Sequence, residues 1–263
     1  MEGSRNPYVR TGTEPALMPS VVAYVDILGY REMALKAERE KKELEFLRTL
    51  HQAFSNTQKW LRGGDLPLKI GLKDFYAFRA FTDNVVIGYP IGGRGDAEAE
   101  LGSIFLKLGI FQFELTVAGF FVRGAISIGD VYIDDIVVFG KGFTEAFEGE
   151  SRLARDPRIV LTASATEAVK KHLEYYYERR FAWQYQDIYR DSDGQFFLNY
   201  LDCILIAENE QGPFYEELEK HRQIIEQRLK EFETWPEIWS KYMWSANYHN
   251  FFCSQYPKYF DKS

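Results

Sequence analysis

The stretch Val21-Val22-Ala23-Tyr24-Val25-Asp26-Ile27-Leu28-Gly29-Tyr30 sets the frame for the rest of the chain. Its β-branched and aromatic residues predict a buried strand, and its first charge, Asp26, falls where that strand should end. Gly29 follows three residues later and a helical pattern opens near Arg31, so residues 27–30 make a tight strand-to-helix turn. Such a turn aims backbone N–H groups at an anion, while the carboxylate can hold a cation against that same anion. A polyphosphate with its metal satisfies both. A plain helix cap is the alternative role for Asp26.

A second stretch, Phe78-Arg79-Ala80-Phe81-Thr82-Asp83-Asn84-Val85-Val86-Ile87, flanks a Thr-Asp-Asn tripeptide with apolar residues. It reads as two strands joined by a sharp turn with Asp83 at the tip. Asp-Asn is also ordinary turn chemistry. Two carboxylates at the ends of neighbouring core strands, however, suit hard divalent ions, which take oxygen ligands and bridge phosphates.

The 263 residues, 46% hydrophobic and 16% aromatic, suffice for a sizeable core in one domain, or in one domain with an elaborated tail. A net charge of −7 argues against sequence-independent binding of DNA or RNA, which needs a basic surface. Cys203 and Cys253 are the only cysteines, so neither a disulfide framework nor a thiolate zinc site is supported. With no apolar run of membrane-spanning length and no signal-peptide core, the expected location is cytoplasmic. His51, His172, His221 and His249 are scattered, which weakens hydrolase and zinc-enzyme readings.

Along the chain, residues 1–19 carry turn formers without periodicity and predict a loose arm. One long helix or two are expected from Arg31 to Arg62, ended by Gly63-Gly64-Asp65, followed by a Phe75–Tyr89 hairpin and an apolar helix from Glu98 to Val117. The strand Phe120–Gly129 carries Arg123 inside an apolar segment, which requires an anionic partner. Gly140-Lys141-Gly142 leads into a helix over 143–154, and residues 158–161 form a short strand. Beyond residue 163 the expectations are a helix over 165–179, strands over 181–188 and 196–206 around an Asp191-Ser192-Asp193-Gly194 turn, a charged helix over 214–233, and an aromatic terminal helix over 238–252.

These motifs resemble those of the class III nucleotidyl cyclase family, and more closely its antiphage pyrimidine cyclases of the Pycsar type. Asp26-Ile27-Leu28-Gly29-Tyr30 resembles the family's Asp-Ile-x-Gly-Phe element, Thr82-Asp83 its Gly-Asp hairpin, and Val122-Arg123-Gly124-Ala125-Ile126 its central strand. Residues 140–148 stand where the family has its Gly-x-x-Val-Asn-x-Ala-Ser-Arg helix. The resemblance covers residues 20–165, and it implies an α+β fold: a ferredoxin-like βαββαβ catalytic core, here with an arm at 1–19 and a C-terminal α/β extension at 166–263.

It further implies two divalent ions, Mn²⁺ or Mg²⁺, held by Asp26, the Ile27 carbonyl and Asp83, with substrate phosphates on Leu28, Gly29 and Tyr30. A head-to-tail homodimer is implied, as is attack of the ribose 3′-oxygen on the α-phosphorus with release of pyrophosphate. The product would act through a separate cyclic-nucleotide-gated effector. Thr144 and Glu148 replace the family's transition-state asparagine and arginine, which leaves Arg123 and Lys141 as candidate cations. Arg79 and Val137 fall near the purine-reading positions and lack a purine-reading pair. The expected activity is therefore conversion of UTP to 3′,5′-cyclic UMP, with no membrane or nucleic-acid polymer involved. Cyclic CMP synthesis, a purine cyclase and a catalytically silent nucleotide-binding module are the alternatives.

Overall fold

The computed structural model describes residues 6–9, 14–61, 76–92, 97–175, 184–205 and 215–256. β1 (Met18–Ile27) lies at the centre, with β3 (Asn84–Pro90) on one side and β4 (Val122–Ile133) on the other, both antiparallel to it. β2 (Ala77–Phe81) pairs with β3 across a two-residue turn, Thr82-Asp83. The helical pattern after β1 resolves into two helices, α1 (Tyr30–Arg39) and α2 (Glu43–Leu61), broken where Lys41 takes a left-handed φ of 58°. With α3 (Glu98–Val117) as the second crossover, β1–β4 stand in the order β2-β3-β1-β4. This is the ferredoxin-like βαββαβ arrangement expected from the sequence.

Strand alternation sends β1 residues to two different cores. Val21, Ala23, Val25 and Ile27 join Leu101, Phe105, Leu108 and Phe111 of α3 on one face. On the other, Val22 and Tyr24 meet Val131, Ile133 and Ala146. Ala146 belongs to α4 (Lys141–Leu153), which lies across this second face. The glycines of Gly140-Lys141-Gly142 are explained by proximity: a Cβ on Gly142 would come within 2.9 Å of the Gly129 carbonyl. The Ser127 hydroxyl donates to the Gly142 carbonyl at 2.6 Å and pins α4 onto β4.

The C-terminal part extends the same sheet. β5 (Val138–Phe139) folds back on β4, and β6 (Ile159–Leu161) runs parallel to β4. β7 (Ile188–Arg190) and β8 (Phe196–Leu198) complete the order β2-β3-β1-β4-β6-β8-β7. α5 (Ala163–Tyr175), a short α6 (Gln184–Asp187), α7 (Tyr215–Glu231) and α8 (Pro236–Gln255) make up the helices beyond β6 that can be bounded. Buried Arg158 binds both Asp191 and Asp193, and so fixes the turn between β7 and β8.

Several elements differ from expectation. Residues 184–187 are helical rather than strand because the Asn199 amide binds the Gln186 carbonyl at 2.9 Å and its backbone N–H binds that of Asp187. The strand expected over 196–206 stops at Leu198, where Asn199 turns the chain into a helical segment at 202–205. In the arm expected to be loose, Tyr8 is buried with its hydroxyl 2.8 Å from Ser20, and Met18 and Pro19 belong to β1. The Gly63-Gly64-Asp65 stop, Phe75, and residues 176–179, 181–183, 206 and 214 of the expected elements lie outside the described residues. Among the described residues, no helix is long and apolar enough to cross a membrane.

Candidate active site

Asp26 occupies the last turn of β1's pleat, opposite Asn84 on β3 and Arg123 on β4. Immediately after it, the Ile27 N–H donates to the Asp83 carbonyl at 2.9 Å and the Leu28 N–H to that of Phe121 at 2.8 Å. The β2–β3 hairpin tip is thereby tied to the end of β1, and Asp83 sits beside Asp26. In an antiparallel strand a residue's N–H and C=O face the same neighbour, so the Ile27 carbonyl also faces β3. Thr82 holds the tip in a left-handed conformation, φ 53°, which is unfavourable for a β-branched residue. Its hydroxyl lies 2.6 Å from Asp83 Oδ1, which also accepts from the Asn84 amide at 2.8 Å.

The helix-cap alternative for Asp26 is not what the structure contains. Gly29, at φ 71°, is the N-cap of α1, and no side chain caps that helix. The Asp26 carboxylate instead accepts from Arg123 Nε at 3.2 Å, which supplies the anionic partner that Arg123 required. A second carboxylate, Glu150 of α4, lies 2.7 Å from the same nitrogen. The Nε–H is directed at Asp26, so this closer contact is an ion pair without alignment, and buried Glu150 Oε1 has no hydrogen-bond donor. Glu150 Oε2 accepts from Ser151 at 3.0 Å.

Charge is unevenly balanced here. Burial pushes the Asp26 carboxyl above its usual value, opposed by the Arg123 hydrogen bond and reinforced by the charge of Asp83. Burial likewise raises Glu150, with Arg123 opposing it. Tyr24, whose hydroxyl donates to Asn84 at 2.6 Å, is pushed up to about 12 by burial and then by Glu150, Asp26 and Asp83. Asp26 and Glu150 thus share one guanidinium with the charge of Asp83 beside them, and Lys241 of α8 is a further cation whose charge reaches Asp26.

Among the described residues no three carboxylate, imidazole or thiolate side chains converge as a ready-made metal cage. Two adjacent carboxylates and a strand-end carbonyl, with surplus negative charge, offer oxygen donors of the kind a hard divalent ion takes. The residues fit Mg²⁺ or Mn²⁺ in that sense.

Of the other residues singled out in the sequence, Leu28 is buried while Gly29 and part of Tyr30 are accessible, and a Cβ on Gly29 would meet nothing within 4 Å. Lys141 is exposed at the start of α4. Arg79 points along the hairpin to Asp135 at 3.0 Å, its guanidinium 5.8 Å from the Phe81 ring centre. Thr144 donates to the Gly140 carbonyl, and Glu148 pairs with Arg152. Glu150, Tyr24, Asn84 and Lys241 were not singled out. Glu150 could have been found: it lies on the small-residue face of α4 with Gly142, Ala146 and Gly149, an unusual place for a carboxylate. Nothing local marks Lys241.

No family model matches the sequence, and no curated protein matches it. Two solved structures from Pseudomonas aeruginosa are similar in outline. One is described as a class III adenylyl cyclase-like ATP-binding protein, 14% identical, with a TM-score of 0.48 over 74% of this chain and 42% of that one. The other is the adenylyl cyclase CyaB, 17% identical, with a TM-score of 0.41 over 60% of this chain and 84% of that one. The chain therefore spans less than half the length of the first. At these TM-scores neither similarity bears on what the chain does.

Proposed function

We propose that the chain is a metal-dependent nucleotide cyclase that converts UTP to 3′,5′-cyclic UMP, of the Pycsar type in antiphage signalling. The observation that carries the reading is the hydrogen bond from Ile27 N–H to the Asp83 carbonyl, which sets Asp83 beside Asp26 next to a helix start at Gly29-Tyr30 that no side chain caps. In the reaction a bond forms between the ribose 3′-oxygen and the α-phosphorus, the bond from that phosphorus to the β-phosphate oxygen breaks, and pyrophosphate and the hydroxyl proton are released. Asp26, the Ile27 carbonyl and Asp83 would hold two divalent ions, which when bound lower the pKa of the 3′-hydroxyl and neutralise the departing phosphates. The chain's own work is positional. The turn orients the phosphates, Arg123 steadies Asp26, Lys141 is the candidate cation for the transition-state charge, and Arg79 is the cation for the base.

A homodimer completes the reading. Phe81, Ile136, Val137, Phe139 and Phe147 are exposed apolar side chains on the hairpins and helix next to the site. Such a grouping favours burial against a second copy, and sedimentation at assay concentration should give a dimer. An active monomer would refute that part. Asp26→Ala and Asp83→Ala should each abolish cyclisation in a chain whose circular dichroism is unchanged; normal turnover by either removes the metal assignment. The silent-module reading has one observation in its favour: Thr144 and Glu148 are engaged within α4 rather than presented to a substrate.

A further inference from the structure

A cavity of about 840 Å³ separates the turn after β1 from the C-terminal helices. Leu28, Gly29 and the first turns of α1 form one wall, and Arg228, Phe232, Lys241 and Tyr242 form the other. We propose that this cavity takes the polyphosphate tail of the substrate, and that Lys241 of the C-terminal helix α8 is the cation that receives it. The inference rests on the cyclase reading and gives a role to the extension, for which the sequence offered none.

The choice of Lys241 follows from the other cations. Arg123 is held between Asp26 and Glu150. Within the cavity, Lys36 and Arg228 both pair with Glu231, and Lys42 pairs with Glu40. Arg39 ends α1, roughly 15 Å along the helix from Gly29 at 1.5 Å per residue. Lys241, half-buried, has no ion-pair partner among the described residues, and its charge acts on Asp26. It therefore lines the cavity while its charge is felt at Asp26.

Packing fixes it there. Its neighbour Tyr242 is buried edge-on against Phe121 at 4.9 Å between ring centres and stacks on Phe232 at 5.6 Å. Phe121 is the residue whose carbonyl accepts from Leu28 N–H. Helix α8 and the turn are thus registered through an apolar cluster of Leu28, Phe121, Ile225 and Tyr242, which places the backbone of Lys241 at the cavity wall. Gly29 adds no side chain to the space in front of it. An anion entering with divalent metal meets backbone N–H groups on one wall and an ammonium on the other.

The test is calorimetric titration of the full chain with inorganic tripolyphosphate in Mn²⁺, comparing wild type, Lys241→Met, Lys241→Arg and, as a control remote from the cavity, Lys171→Met. Loss of one charge-assisted hydrogen bond should weaken binding about ten- to hundredfold in Lys241→Met. Lys241→Arg should restore most of the affinity, and Lys171→Met should bind as wild type does. Equal affinity of Lys241→Met and wild type, or no binding by wild type, overturns the inference. Product analysis on the same preparations separates the two claims. A wild type that cyclises nucleotide while Lys241→Met keeps its tripolyphosphate affinity refutes only Lys241. A wild type that binds tripolyphosphate through Lys241 but cyclises nothing refutes only the cyclase reading.

Discussion

Arg123 is the residue on which the candidate site turns, and its loss has a calculable effect. The guanidinium is 29% exposed, Asp26 18% and Glu150 only 5%, so Glu150 depends on Arg123 for its counter-charge. Removing one member of a buried ion pair costs about 3–5 kcal/mol, because the remaining charge is left without compensation. Solvent reaches Asp26 and screens its share, so about 2–3 kcal/mol is expected for Arg123→Met. At about 2–4 °C per kcal/mol for a chain of this size, the melting temperature should fall by about 4–12 °C. Glu150→Gln in the same chain removes the stranded carboxylate. The double variant should therefore be more stable than Arg123→Met alone, with a coupling energy of about 1–2 kcal/mol. Thermal melts of the four chains by circular dichroism close the cycle. Effects that add to within about 0.5 kcal/mol would refute the shared-guanidinium account.

Two further outcomes follow from particular side chains. If Arg79 reads the O4 acceptor of uracil, Arg79→Met should lower kcat/KM for UTP relative to CTP by roughly tenfold to a hundredfold, corresponding to about 1–3 kcal/mol. An unchanged ratio leaves Arg79 as the partner of Asp135 and nothing more. Burial, then the charge of Asp202, pushes Asp187 up to about 8, against about 3.9 in an unfolded chain. The folded state then holds a proton that the unfolded state has lost, so stability should fall as pH rises from about 4 to about 8. Asp187→Asn should flatten that fall in melts taken from pH 5 to pH 9, and an unaltered slope would contradict it.

The core was legible because its elements obey local rules. The apolar run of β1, the Thr-Asp-Asn turn and the periodic α3 each carry their own pattern, and together they yield the β2-β3-β1-β4 order. Asp26 and Asp83 could be paired on paper because each ends a strand. Arg123 signalled a partner by being charged inside an apolar strand, although Glu150 had to be seen in space. What failed was long-range. Asn199 folds residues 184–187 into a helical turn through bonds made 12 and 13 residues back along the chain, which no local periodicity records. Lys241 lies more than two hundred residues from Asp26, and long-range packing such as that of Tyr242 on Phe121 and Leu28 brings them near.

The most direct measurement is product identity. Purified full chain is incubated with ATP, GTP, CTP and UTP in Mn²⁺, and the nucleotides are separated and weighed by mass spectrometry. The account predicts 3′,5′-cyclic UMP with an equal yield of pyrophosphate, and none when Asp26→Ala replaces wild type. Absence of a cyclic product from all four triphosphates, in a folded chain, would contradict it.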